Sequence, residues 1–228
     1  MALFEKYVGL IKILLIMGVV FLSACKTHVV VNETSELPTD IEKILILPFK
    51  DMSAVYGENV NVRCPLSSNV YMTGKVAIGT VDMLTDHMFD LLKDSKDFKL
   101  IPSSQAEGVL PGLLSKNTTR LPELQLLVET GRALDADAVI MGHIYRFKER
   151  VGNKYSVDSP ASVTFDVHLI HVDSGRMAWN GHFHETQRSL SEDLFQIGTF
   201  LRRKGKWITA KEMATSGLED LLKTLPEL

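Results

Sequence analysis

Apolar and polar positions sort the chain into short unbroken apolar runs, helical stripes and two alternating segments. Ile44-Leu45-Ile46-Leu47-Pro48-Phe49 is apolar without alternation, which predicts a central strand covered on both faces. Lys50 to Met72, rich in Asn, Ser, Gly and Pro, is long for a connection and reads as a loop. Ala77, Val81, Leu84, Met88 and Leu91 are spaced 4, 3, 4, 3 and predict one helical face. Phe98 to Ile101 is a second short strand. Leu124, Leu127, Val128 and Leu134 lie on another amphipathic helix, opened by Pro122 in its first turn. Ala138 to Met141 begins a third apolar strand that continues to Phe147. Ser162 to Val172 and Arg176 to Thr186 both alternate, and Asp173-Ser174-Gly175 suits a three-residue hairpin with Gly in the left-handed position. With Val172 set opposite Arg176, Phe165 faces Phe183 and Leu169 faces Trp179, giving one coherent apolar face. Ser189 with Glu192 and Thr209 with Glu212 form capping-box patterns that open two final helices. Ala214, Leu218, Leu221 and Leu225 supply the last helix with its stripe. The expected fold is a single α/β (α+β) domain: a mixed sheet with a C-terminal antiparallel hairpin, packed by amphipathic helices.

The N-terminus follows a different logic. Lys6 and Lys12 precede an uncharged apolar run from Ile13 to Ala24, whose 12 residues rise about 18 Å as a helix, short of the ~30 Å hydrocarbon core. That pattern reads as a secretory signal rather than a membrane span. Its end, Leu22-Ser23-Ala24-Cys25, resembles the lipobox of bacterial lipoproteins. The resemblance implies cleavage before Cys25, a diacylglycerol and an N-acyl chain on that cysteine, and an essentially permanent hold on a bilayer. It divides the chain into a signal peptide (1–24), a lipidated cysteine with a flexible tether (25–42) and a periplasmic α/β domain (43–228). The tether, read as a coil, spans about 20–25 Å on average. Lys26 rather than Asp after the cysteine favours the periplasmic face of the outer membrane; the alternative is the outer face of the inner membrane.

A second resemblance covers roughly Glu42 to Leu225. A strand ending in Leu47-Pro48-Phe49, the segment Ala136 to Gly142, the hairpin Val172 to Gly175 and a C-terminal helix together resemble a periplasmic domain of known type. It is shared by curli-secretion-channel lipoproteins, penicillin-binding-protein-activator lipoproteins and the N-terminal domain of the Tol β-propeller protein. The resemblance implies an envelope binding or assembly protein and supplies no catalytic residues.

Charge and composition narrow the function further. The 228 residues carry 25 basic and 28 acidic side chains, a net −3, so nucleic acid is not an expected partner. Two cysteines cannot build a disulfide framework. With Cys25 acylated, Cys64 is a lone thiol, buried or idle by default. The sequence holds no His-Glu-x-x-His, Gly-x-Ser-x-Gly, phosphate-binding Gly-rich loop or Cys-x-x-Cys; an enzyme is not expected, and neither is a cofactor beyond the acyl chains.

What remains is weaker chemistry. His143, His168, His171, His182 and His184 crowd the sheet segment. The register sets Asp166 opposite His182, Thr164 opposite His184 and His168 opposite Asn180, on the face away from the Phe and Trp side chains. Asp166, His168, His182 and His184 could thus share a divalent metal; the ordinary reading, and the expected one, is a solvated or loop-covered polar face. Asp82, Asp86 and Asp90 form an acidic row that reads as a solvated face or a partner's docking face. Arg202, Arg203, Lys204, Lys206 and Trp207 fit either contact with anionic headgroups or a partner, or a solvated turn. The leading function is an outer-membrane-anchored, non-enzymatic accessory protein that binds an envelope protein in assembly, secretion or cell-wall enzyme activation. One alternative is a subunit of an oligomeric outer-membrane secretion pore, disfavoured because neither Lys50–Met72 nor Lys148–Pro160 carries the paired strands of about 9–11 residues that a barrel needs. The other is a metal-binding envelope protein using the His-rich face.

Overall fold

The computed structural model describes residues 29–33, 41–95, 97–116, 121–154, 156–187 and 206–225. The unbroken apolar runs form the middle of one mixed sheet. Its order is β1 (Val29–Glu33), β11 (Arg176–Thr186), β10 (Ser162–His171), β7 (Ala138–Lys148), β2 (Lys43–Ile46) and β6 (Lys99–Ile101), and β3 (Lys50–Asp51) runs beside β7 beyond β2. β2 is parallel to both β6 and β7, while β7, β10, β11 and β1 pair antiparallel in succession. This is the mixed α/β domain expected, and β2, β7 and the alternating β10 are its most buried strands.

The hairpin register agrees with the sequence reading through Phe165–Phe183, Asp166–His182 and Leu169–Trp179. A bulge after Leu169 then shifts it, so that His171 rather than Val172 faces Arg176. The turn gains a residue, and Gly175 takes the left-handed conformation at φ +63°. Two further expectations need correction. Val29–Glu33 belongs to a strand and not to the tether: its β-branched run completes the exposed edge of β11. The Lys50–Met72 loop is largely structured, as α1 (Met52–Tyr56) followed by a small hairpin of β4 (Asn61–Arg63) and β5 (Val70–Met72).

Helices cover the two faces unequally. On one face α2 (Thr80–Leu92) and α6 (Ala210–Leu222) bury Leu84, Met88, Met213, Ala214, Leu218 and Leu221 against Ile44, Ile140, Phe165 and Trp179. The α2 stripe ends at Leu92 and leaves Leu91 exposed; at 100° per residue the position four after Met88 points inward. Gly142 makes room for the Phe49 ring, since a Cβ there would lie 2.0 Å from its Cε1. The Thr209–Glu212 capping box opens α6 as its sequence predicts. Opposite, α3 (Ser103–Glu107), α4 (Leu110–Lys116) and α5 (Glu123–Ala133) lie at one end of the sheet, where α5 packs on Leu45, Val139, Met141 and Ile170. A short hairpin of β8 (Val151–Gly152) and β9 (Val157–Ser159) precedes β10. The helix expected after Ser189 lies outside the described residues.

Asp137 ties the sheet's parallel centre together. Its Oδ2 accepts from the backbone N–H groups of Glu42 (2.9 Å) and Lys43 (2.8 Å), and its own N–H donates to Lys43 O. Asp137→Ala strands those donors at the start of β2. It is expected to cost about 1–3 kcal/mol in urea unfolding of the full chain, a range set by charged hydrogen bonds; a change below ~0.5 kcal/mol would show that water replaces the carboxylate.

Candidate functional site

The site grows from alternation on the half-covered face of the sheet. Asp166 and His168, two residues apart on β10, point to the same side, and β7 sets His143 directly opposite Asp166. None of the three is more than 1% exposed. Their cover is the β4–β5 hairpin. Val62 and Tyr71 turn inward with Met52 onto Tyr145, the two tyrosine rings tilted at 31° with centroids 4.2 Å apart. That packing delivers the hairpin loop to the polar group. The loop closes through Cys64 N–H donating to Asn69 O (2.7 Å) and Ser68 N–H to Cys64 O (3.1 Å), and Cys64, 1% exposed, meets the histidines.

The four side chains converge on one point. Cys64 Sγ lies 3.8 Å from His143 Nδ1 and 3.6 Å from His168 Nε2. Asp166 Oδ1 lies 3.1 Å from the same His143 Nδ1, and Oδ2 lies 3.6 Å from the same His168 Nε2. The four ligand atoms all fall within 4.8 Å of one another. Around them sits a second layer: His143 Nε2 faces Glu123 Oε1 at 3.4 Å, Glu123 pairs with Lys50 Nζ at 2.8 Å, and Tyr145 O–H donates to Asp166 Oδ2 at 2.9 Å. The N–H groups of Leu66 and Ser67 each point at Cys64 Sγ from 3.4 Å.

This surrounding favours anionic sulfur. Burial pushes the Cys64 thiol up, but hydrogen bonds from His143 and His168 outweigh it and bring the group down to about 6. Burial likewise opposes charge on His143, yet its contacts with Asp166, Cys64 and Glu123 raise it to about 11. Burial would raise Asp166, and the two histidines hold its carboxyl below the usual range. Glu123 is brought to about 2 by His143 and Lys50 against the cost of burial.

Part of the cluster has the order of a nucleophilic relay, but it is sealed. A Cys-His-Asp relay uses opposite nitrogens of one imidazole, one taking the thiol proton and the other held by the carboxylate. Cys64 Sγ and Glu123 Oε1 do flank opposite nitrogens of His143, at 3.8 and 3.4 Å, but Asp166 Oδ1 competes for the same Nδ1 at 3.1 Å and the thiol is closed off from solvent.

Of the residues singled out in the sequence, Asp166 and His168 belong to this cluster and His182 and His184 do not. His182, across from Asp166 on β11, packs edge-on against Tyr71. His184 Nδ1 contacts Thr164 Oγ1 at 2.9 Å and Arg146 NH2 at 3.4 Å. The face is covered by the hairpin rather than solvated, and Cys64 is buried within it rather than idle. Cys64 went unread as a partner because its contacts with His143 and His168 span 79 and 104 residues of sequence, and His143 because it reaches Asp166 across 23 residues through the pairing of β7 with β10. The available signal was a single histidine directly after the apolar run and Gly142 of β7. Trp207 is half-buried, its backbone N–H donating to Lys154 O at 3.0 Å and its backbone carbonyl accepting from the Arg150 guanidinium. Asp82, Asp86 and Asp90 are exposed on α2. Cys25, Arg202, Arg203 and Lys204 lie outside the described residues.

No protein-family model and no curated protein matches the chain. Solved structures similar to it include the PelC dodecamer from Paraburkholderia phytofirmans, at 12% identity over 85% of this chain and 95% of that one, with a TM-score of 0.45. The LpoB C-terminal domain from Escherichia coli is 14% identical over 67% and 88%, with a TM-score of 0.42. Lipoprotein GNA1162 from Neisseria meningitidis is 11% identical over 71% and 94%, with a TM-score of 0.39. At these identities and scores the likeness assigns no function.

Proposed function

We propose that the chain is a lipid-anchored periplasmic lipoprotein of the outer membrane that binds another envelope component and catalyses no reaction itself. The observation that carries this reading is Cys25, placed behind Leu22-Ser23-Ala24 at the end of a charged-then-apolar leader too short to span a bilayer. Support for binding over catalysis comes from two features. The only cluster of three or more His, Cys, Asp or Glu side chains converging on one point among the described residues is sealed beneath the hairpin, its thiol closed to solvent. The exposed apolar side chains also concentrate: among the described residues six of the eight large ones, Val55, Tyr56, Val60, Val70, Met72 and Ile78, lie between residues 55 and 78. Such concentration in the stretch that holds α1 and the small hairpin favours a contact surface over scattered exposure.

Metabolic labelling with an alkyne fatty acid tests the anchor. The wild-type chain is expected to take the label and sediment with outer membranes, and Cys25→Ser to lose both; an unlabelled, freely soluble wild-type chain would overturn the reading. Photo-crosslinking from Tyr56 and Met72 in living cells is then expected to capture one predominant envelope protein. Turnover of an envelope substrate by the purified chain would count against a purely binding role.

A further inference from the structure

We infer that Cys64, His143, Asp166 and His168 form a tetrahedral site for a zinc-type transition-metal ion that pins the β4–β5 hairpin to the sheet. The donor set is one sulfur, two imidazole nitrogens and one carboxylate oxygen. Borderline-soft divalent ions prefer such a mixture, whereas calcium and magnesium favour oxygen ligands. A tetrahedron with zinc-like bond lengths has edges of about 3.3–3.6 Å. Four contacts in the cluster measure 3.1 Å (Asp166 Oδ1 to His143 Nδ1), 3.6 Å (Asp166 Oδ2 to His168 Nε2), 3.6 Å and 3.8 Å (Cys64 Sγ to His168 and His143), and one ligand atom from each residue falls within 4.8 Å of the other three.

Three further features suit the site to a metal. A divalent ion with one thiolate, one carboxylate and two neutral imidazoles is electrically neutral, which removes the cost of burying net charge. Glu123, held by Lys50, stands behind His143 Nε2 in the carboxylate–histidine–metal arrangement that fixes ring orientation. The Leu66 and Ser67 N–H groups aimed at Sγ support a thiolate ligand. His168 Nδ1 is buried with no hydrogen-bond partner, so hydrogen bonding by that atom does not explain the ring's place in the cluster. The 3.6 Å between His168 Nε2 and Asp166 Oδ2 is too long for a hydrogen bond, so hydrogen bonding does not account for the carboxylate facing that nitrogen.

All four positions of the tetrahedron come from protein, and every ligand is buried; closed sites of that kind are structural. Three ligands sit on the neighbouring strands β7 and β10, and only Cys64 comes from the hairpin. The ion therefore acts as a clasp between residues 57–73 and the sheet, and it sets the order of the segment that carries Val60, Val70 and Met72.

The test uses the full chain in detergent, stripped of metal under a non-thiol reductant, and titrated with Zn²⁺ or Co²⁺. Wild-type protein is expected to bind about one ion per chain. Its Co²⁺ complex should show intense tetrahedral visible bands and a thiolate-to-cobalt band in the near ultraviolet. Cys64→Ser should abolish the latter band, Glu123→Gln should weaken binding about 10–100-fold, and His182→Ala and His184→Ala should bind as wild type. Hydrogen exchange of residues 57–73 should slow when Zn²⁺ is bound, and the slowing should vanish in Cys64→Ser. Circular dichroism of each variant separates lost binding from lost fold. Failure of folded wild-type protein to bind either ion stoichiometrically, an octahedral Co²⁺ spectrum, or a His182→Ala effect equal to that of Cys64→Ser would overturn the site.

Discussion

Asp166→Ala is expected to lower the unfolding free energy by about 3–5 kcal/mol, the range for removing one partner of a buried charged pair. Asp166 is 1% exposed and accepts three hydrogen bonds: from the His143 backbone N–H (3.2 Å), from His143 Nδ1 (3.1 Å) and from Tyr145 O–H (2.9 Å). Alanine leaves all three donors in a space that water reaches poorly and leaves the imidazolium of His143 without its main counter-charge. Asp166→Asn keeps one carbonyl acceptor and most of the volume, so its cost is expected to be smaller, while it still removes the charge. Urea unfolding of the metal-free chain in excess chelator isolates this term from any contribution of a bound ion. An alanine effect below about 1 kcal/mol would mean that the polar group is hydrated, and that the hairpin opens over it in solution.

The parts of this fold that could be read from sequence are those in which neighbours in the chain are neighbours in space. The β10–β11 register follows from one turn and a repeat of two, so Phe165 opposite Phe183 and Asp166 opposite His182 were legible. The bulge after Leu169 was not, because it trades one residue of turn for one of strand without disturbing the apolar face. β1 was missed for a related reason: five residues at a sheet edge take their order from the backbone of β11, not from a periodicity of their own. The candidate site shows the same division. Asp166 and His168 share a face by alternation, whereas His143 arrives through the pairing of β7 with β10 and Cys64 through packing of a hairpin on Tyr145. A pattern two residues long cannot report contacts that span 23 residues, as for His143, or 79, as for Cys64. His182 and His184 satisfied the local rule and still fell outside the cluster, since opposition across β11 brings the former against Tyr71 rather than the Asp166 carboxylate.

Trp179→Ala probes the opposite face, and a loss of about 3–5 kcal/mol is expected from the cavity that a buried aromatic leaves. Trp179 is 1% exposed, stands across from Leu169, and packs in the cluster that holds α6 to the hairpin strands through Met213, Leu218 and Leu221. The approach there is close: a Cβ at Gly181 would come within 2.5 Å of Leu221 Cδ1 and 3.0 Å of Trp179 Cζ2, and one at Gly217 within 2.7 Å of the Phe183 ring. Backbones held that near cannot shift far enough to close an indole-sized void, so the upper part of the range applies. The indole Nε1 has no hydrogen-bond partner. The loss is thus one of packing and apolar burial, and Trp179→Phe should recover more than half of it. The chain has two tryptophans, and Trp207 is the half-buried one. Emission of the Trp179→Phe variant is therefore expected to move to longer wavelength than that of the wild type. An alanine cost below about 1 kcal/mol, with emission unchanged in the Phe variant, would mean that α6 does not pack on this face.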